Sequence, residues 1–205
     1  MDIVSILVIF GVVLASLTVH EWAHAWSADK LGDPTARLLG RVSFNPIVHI
    51  DPIGTIALPL LAAFTTGFVF GWAKPVPVNT SRLGSPKRDF MLVAAAGPAS
   101  NLVMAAAAAL VFRALGGIES ADSLANQMLI QFVAINVSLA VFNMLPVPPL
   151  DGGNVLAGLL PDSFAPVLNG LRQYGFIILL GLMVSGALDV LVRPVSLVLQ
   201  RFLLL

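Results

Sequence analysis

The chain contains no cysteine. Disulfides, thiolate metal ligands and a thiol nucleophile are therefore excluded, and any metal site must use nitrogen and oxygen donors. Charge is scarce as well. Asp, Glu, Lys and Arg supply 11% of the 205 residues, against about 25% in an ordinary soluble domain. So few charges cannot cover an aqueous surface. The 11 basic and 11 acidic residues balance, which argues against the basic footprint of a nucleic-acid binder. No low-complexity tract and no internal repeat breaks the chain into modules.

Apolar residues fill the space that charge leaves. They make up 58% of the chain, with a mean hydropathy of +0.93, which marks an integral membrane protein. The first apolar run, "IVSILVIFGVVLAS", has no basic residue before it and meets no small-residue cleavage site. It reads as a mature transmembrane helix and not as a cleaved signal peptide.

Proline and glycine divide the chain beyond this run. A first helix is predicted over 2–31, ended by "LGDP" at 31–34. Residues 35–50 read as extended and β-like at a membrane edge. Residues 53–72 are apolar but hold Pro59 and Gly67, and "GWAKPVPVN" at 71–79 has no helical period. Helices are predicted at 90–115 and 124–145. "PVPPLDGG" breaks the next stretch, giving an LDG segment over 146–160. A C-terminal span covers about 174–192, and the tail to 205 is an interfacial helix or a short last span. The fold class expected is an all-α polytopic membrane protein of about four to six membrane helices. A small membrane-associated β or re-entrant segment at 35–79 belongs to it, within one domain over 1–205.

One stretch breaks the apolar rule: "HEWAH" at 20–24, where the first span ends. His20 and His24 are four residues apart, so on a helix both rings leave one face and reach one ion. Glu21 sits beside that ion, placed to take a proton from water. The bland alternative is a pair of packing histidines beside a chance glutamate. An ionised group at the centre of a span costs about 2.5–3.5 kcal/mol on insertion scales, so three such residues together favour metal binding.

Catalytic zinc takes three protein ligands and keeps one position open. His49, after "FNPIV", reads first as an interfacial histidine. Asp151, in "NMLPVPPLDGG", is the stronger candidate. Prolines break a membrane helix there, and broken backbone at membrane depth is tolerated where it is buried in protein or lines a cavity. "LDGG" by itself would be an ordinary turn.

Depth ties these pieces together. At 1.5 Å per residue, the histidine pair lies roughly 27–33 Å along its helix from Asp2, near the far face of a ~30 Å hydrocarbon core. Asn143 lies ~28 Å beyond Leu124. The two sites meet only if both spans run in the same direction, so 53–72 must enter and return on one side. Lys30, Arg37 and Arg41 come before that stretch, and Lys74, Arg82, Lys87 and Arg88 come after it. By the positive-inside rule both flanks are cytoplasmic. The loop 116–123 carries Glu119 and Asp122 and no basic residue, which suits the outer side. The metal site is then expected near the cytoplasmic face of a multi-pass cell-membrane protein.

"HEWAH" at a first-span end, "GPASN" in a middle span and "FNMLPVPPLDGG" in a later one together resemble the site-2 protease family of intramembrane zinc metalloproteases. "NPIVHIDPIGTI" and "GWAKPVPVN" further resemble its small bacterial members. The resemblance implies one zinc ion held by His20, His24 and Asp151, with Glu21 as the catalytic acid/base. It implies a substrate or transition-state contact for Asn143, and a substrate-binding or oxyanion role for Asn101. "WAKPVPV" is either a strand edge offered to substrate or a connecting loop. The PDZ or CBS module of many members does not occur in this sequence.

The function expected is hydrolysis of a peptide bond in or near a transmembrane segment of a membrane-protein substrate, as in regulated intramembrane proteolysis. The lipid bilayer and a transmembrane protein or peptide are the partners, and nucleic acid is not. The rival is a zinc-binding membrane transporter or sensor, which needs the same ligands but not Glu21.

Overall fold

A computed structural model describes residues 3–57 and 72–205. Helix α1, Ile3–Lys30, is a run of apolar residues without proline, and it stops at Lys30 just before Gly32 and Pro34. Helix α3, Pro86–Ala114, starts one turn earlier than its hydropathy suggests. Pro86 occupies the first turn, where a missing N–H costs nothing, and Asp89 reaches back to accept a hydrogen bond from the Ser85 amide at 2.7 Å. Helix α4, Leu124–Asn143, opens on Ser123, whose hydroxyl accepts from the Asn126 amide. Helices α5, Asp151–Leu159, α6, Ala165–Val184, and α7, Ala187–Leu204, complete the chain.

α3 is the central helix, packed against α1, α4 and α5. Its Ala105, Ala108 and Ala109 lie buried against Val133 and Val137 of α4. Small side chains let two helices approach closely where lipid offers no hydrophobic gain. Among the described residues, four helical stretches are long and apolar enough to cross a membrane: 8–30, 86–114, 124–143 and 162–184. The chain is an all-α polytopic membrane protein.

The C-terminal boundaries differ from expectation. The span predicted to reach 192 ends at Val184, because Gly186 adopts a left-handed turn with φ 74° that closes one helix and opens the next. The tail is the helix α7. Its Leu199 and Leu203 pack on the α3–α4 core, and its Leu188 sits with Leu150 and Leu179.

The expected β character of 35–50 is corrected too: no strand forms among the described residues. Asp33 Oδ1 accepts from the Thr35 amide at 3.1 Å and from its hydroxyl at 2.5 Å, which starts the short helix α2, Thr35–Leu38. Asn45 likewise caps a 3₁₀ turn, Pro46–His49. A π-helical stretch, Pro52–Ala57, comes next. Residues 72–79 form no regular element, and Pro75 and Pro77 carry no amide hydrogen to offer a ladder.

The re-entrant hairpin expected at 53–72 falls largely on residues 58–71, outside those described. Its two ends are described, and they meet. The Trp72 amide donates to the Gly54 carbonyl at 3.1 Å, and the Lys74 amide to the His49 carbonyl at 2.8 Å. The chain therefore comes back to the end of the bundle it left. Asp33 Oδ2 fastens the returning segment by accepting from the Asn79 amide at 2.6 Å.

Candidate metal centre

His20, Glu21 and His24 lie in the second half of α1 and are buried. The two imidazoles leave one face of the helix, with ring centroids 4.7 Å apart. α3 packs directly beneath them. Gly97 of the "GPASN" motif faces the rings, and a β-carbon there would lie 2.6 Å from His20 Nε2 and 2.5 Å from His24 Cε1. Glycine at this position lets α3 lie directly under the histidines.

Asp151 arrives from the other side as the first residue of α5. Pro146, Pro148 and Pro149 stop α4 from continuing, and two tight turns carry the chain round, Val147 to Leu145 at 2.8 Å and Leu150 to Val147 at 3.0 Å. The carboxylate ends 3.1 Å from His20 Nε2 through Oδ2 and 3.4 Å from His24 Nε2 through Oδ1. The two Nε2 atoms are 3.1 Å apart. One ligand atom from each of the three residues lies within 4.8 Å of the others.

The outer ring nitrogens say what this cluster is for. His24 Nδ1 is 2.7 Å from the Val93 carbonyl, which can only accept a hydrogen bond. His20 Nδ1 is 2.6 Å from Asn101 Oδ1, also an acceptor. Each imidazole thus places a proton on Nδ1 and turns Nε2 toward the carboxylate. In the neutral ring Nε2 offers a lone pair, and two imidazoles with one carboxylate are a ligand set that suits zinc. The donors present fit the metal.

Glu21 is buried beside the cluster, and its carboxylate lies close enough to act by charge on His24 and Arg41. Asn143 closes α4 and donates from Nδ2 to the Leu139 carbonyl of its own helix at 3.0 Å. Asn101 is fully buried behind His20, away from the cluster, with Nδ2 bonded to Asn136 at 2.9 Å. His49 lies apart from the three ligands, its Nε2 on the Ser43 carbonyl at 2.8 Å.

Two residues near the centre have no site role in the sequence reading. Asn136 is fully buried in α4. It sits seven residues before Asn143, two helical turns away on the same face, and a polar residue at that depth was the available signal. Arg41 is buried at 6% exposure and donates to the Lys74 carbonyl at 2.5 Å, holding the returning segment near α1. No spacing in the sequence links 41 to 74.

The chain is similar to known proteins. The model of peptidase family M50 matches residues 114–182, which include Asn143 and Asp151. The chain is similar to "Putative zinc metalloprotease YwhC" of Bacillus subtilis, with 39% identity over 84% of this chain and 78% of that protein. It is also similar to a protein of Mycolicibacterium smegmatis named in the same way as Rip2, with 32% identity over 91% of this chain and 70% of the relative. No solved structure matches. With the HExxH motif, the distant aspartate and the apolar helices in place, the chain belongs to peptidase family M50, the site-2 type of zinc metalloprotease.

Proposed function

We propose that His20, His24 and Asp151 hold one zinc ion, and that Glu21 moves the proton during hydrolysis of a peptide bond in or beside a transmembrane segment of another membrane protein. The observation that carries this is depth. His24 and His20 are six and ten residues in from Lys30, about 9 and 15 Å along α1 at 1.5 Å per residue. Gly97 is ten residues in from Lys87, about 15 Å along α3. Measured from these basic residues, the ligands fall inside the apolar layer, where a soluble substrate does not reach.

Bound zinc supplies Lewis acidity, acidifying water and polarising a carbonyl. The residues do the rest. The carbonyl of Val93 and Oδ1 of Asn101 hold the Nδ1 side of each imidazole and aim Nε2 inward. Glu21 takes the proton from the attacking water and returns it to the leaving amine. Asn143 is the donor available for the oxyanion, on turning from its present bond to Leu139. Asn101, enclosed and committed at both ends, is read as holding His20 and not as touching substrate.

The basic flanks and the acidic loop 116–123 support a centre near the cytoplasmic face. The substrate class fits regulated intramembrane proteolysis, in which a transmembrane segment unwinds locally to offer its peptide bond. Glu21→Gln is the test. Zinc content should stay at the wild-type level while cleavage of a transmembrane reporter falls by about 10²–10⁴-fold. A variant that cleaves normally would sink the role of Glu21 in the protease mechanism, and a wild type that binds zinc but cleaves no transmembrane reporter would leave the transporter or sensor reading standing.

A further inference from the structure

The hydrogen bonds behind His20 have a direction, and Asn136 makes the short bond that sets it, with the Ser16 carbonyl adding a long contact to Asn101 Nδ2 at 3.5 Å. Asn136 Nδ2 is 3.0 Å from the carbonyl of Phe132, one turn back on α4. A backbone carbonyl only accepts, so the NH₂ end of Asn136 must face it. The Oδ1 end then faces Asn101 at 2.9 Å, and Asn101 must present its own NH₂ there. Asn101 turns Oδ1 to His20 Nδ1 at 2.6 Å, and this ring nitrogen must bring the proton. Both asparagines are fully buried, so no bulk water can substitute for a link.

We infer that Asn136 is a positioning residue of the metal centre: through Asn101 it fixes the tautomer of His20, leaving Nε2 free to bind metal. The inference deepens the zinc reading and takes its functional meaning from it. The relay crosses three helices, from α4 through α3 to α1. His24 needs no such relay, because its Nδ1 meets a backbone carbonyl directly. The two ligands are therefore oriented by different means, one by main chain and one by a pair of amides.

Substituting Asn136 leaves Asn101 Nδ2 with only the long 3.5 Å contact to the Ser16 carbonyl, so the amide turns more easily and His20 is less strictly held to a proton on Nδ1. Asn136→Leu removes the acceptor. Asn136→Asp keeps the size and accepts from Asn101 in either protonation state, so it is the rescuing variant. The chain has three histidines, so ¹⁵N-histidine labelling in detergent micelles gives three rings, assigned with His24→Gln and His49→Gln. Metal-free wild type is expected to show His20 protonated at Nδ1. Asn136→Leu should show mixed tautomers and a zinc affinity about 10–100-fold weaker by chelator competition, the usual effect of losing an outer partner of a ligand. Asn136→Asp should retain the wild-type tautomer.

A His20 ring that stays protonated at Nδ1 in Asn136→Leu overturns the inference, as does wild-type His20 protonated at Nε2. If Asn136→Leu does not fold, the wild type and Asn136→Asp decide: Nδ1 protonation in both supports the relay, and Nε2 protonation in either overturns it. Wild-type protein that shows the Nδ1 tautomer but takes up no zinc supports the relay and sinks the metal reading alone.

Discussion

Gly97 lies so close beneath His24 that a β-carbon on it would stand 2.5 Å from Cε1 of the imidazole. The two residues are on different helices, and their contact sets how near α3 comes to α1. Gly97→Ala should push the rings out of register with Asp151. Overpacking of this kind costs about 1–3 kcal/mol, and zinc affinity should fall by about tenfold or more. Chelator competition on the purified variant measures it, and an unchanged affinity would mean the rings have room to move.

Asp151 is the proposed ligand whose removal separates the two candidates for third position. Asp151→Ala should abolish stoichiometric zinc, whereas His49→Ala should keep it, because His49 is tied to the Ser43 carbonyl and stands apart from the cluster. Metal analysis after gel filtration gives the ratio of zinc to chain. The opposite pattern would require a different ligand set.

Asp33 makes a pH-dependent contribution at the α1–α2 corner. Burial works to raise its pKa, and the hydrogen bonds from Thr35 and the Asn79 amide, with the charge of Arg82, together outweigh burial and lower it. A lowered folded-state value means stability that is complete above the usual carboxylate pKa of about 4. It is lost as the pH falls through the lower folded value. Asp33→Asn turns one acceptor into a donor and should cost about 1–3 kcal/mol at neutral pH. The difference in melting temperature between wild type and variant should shrink as the pH is taken from 7 to 3. A gap constant across that range would show that ionisation of Asp33 contributes nothing.

Topology is open to cysteine labelling without background, as the chain has no cysteine of its own. Arg88→Cys and Glu119→Cys occupy exposed positions at opposite ends of α3 and the loop beyond it. In intact cells an impermeant maleimide should reach 119 and not 88. Labelling of both from one side would refute a cytoplasmic centre.

The parts of this molecule that are legible in sequence are those where chemistry is local or distance is countable. His20 and His24 share a face because a helix turns every 3.6 residues. Asp151 pairs with them by a count of crossings through a layer of known thickness. The corner at 35–50 defeats a reading by pattern because Asp33 starts a helical turn through its side chain, an interaction that outcompetes the extended conformation. The break at Ser185–Gly186 is hidden because apolar residues continue across it. Asn136 and Arg41 owe their roles to partners that only the assembled helices bring near.

The histidine pair and Asp151 are far apart in the chain, 131 residues between His20 and the aspartate. A ribosome adding ~5–20 residues per second needs roughly 7–26 s to supply the aspartate after the histidines have emerged. Throughout that interval the nascent protein holds only two of the three proposed ligands, so the proposed centre cannot be completed, and no peptide bond cut by it, before the loop that carries Asp151 arrives.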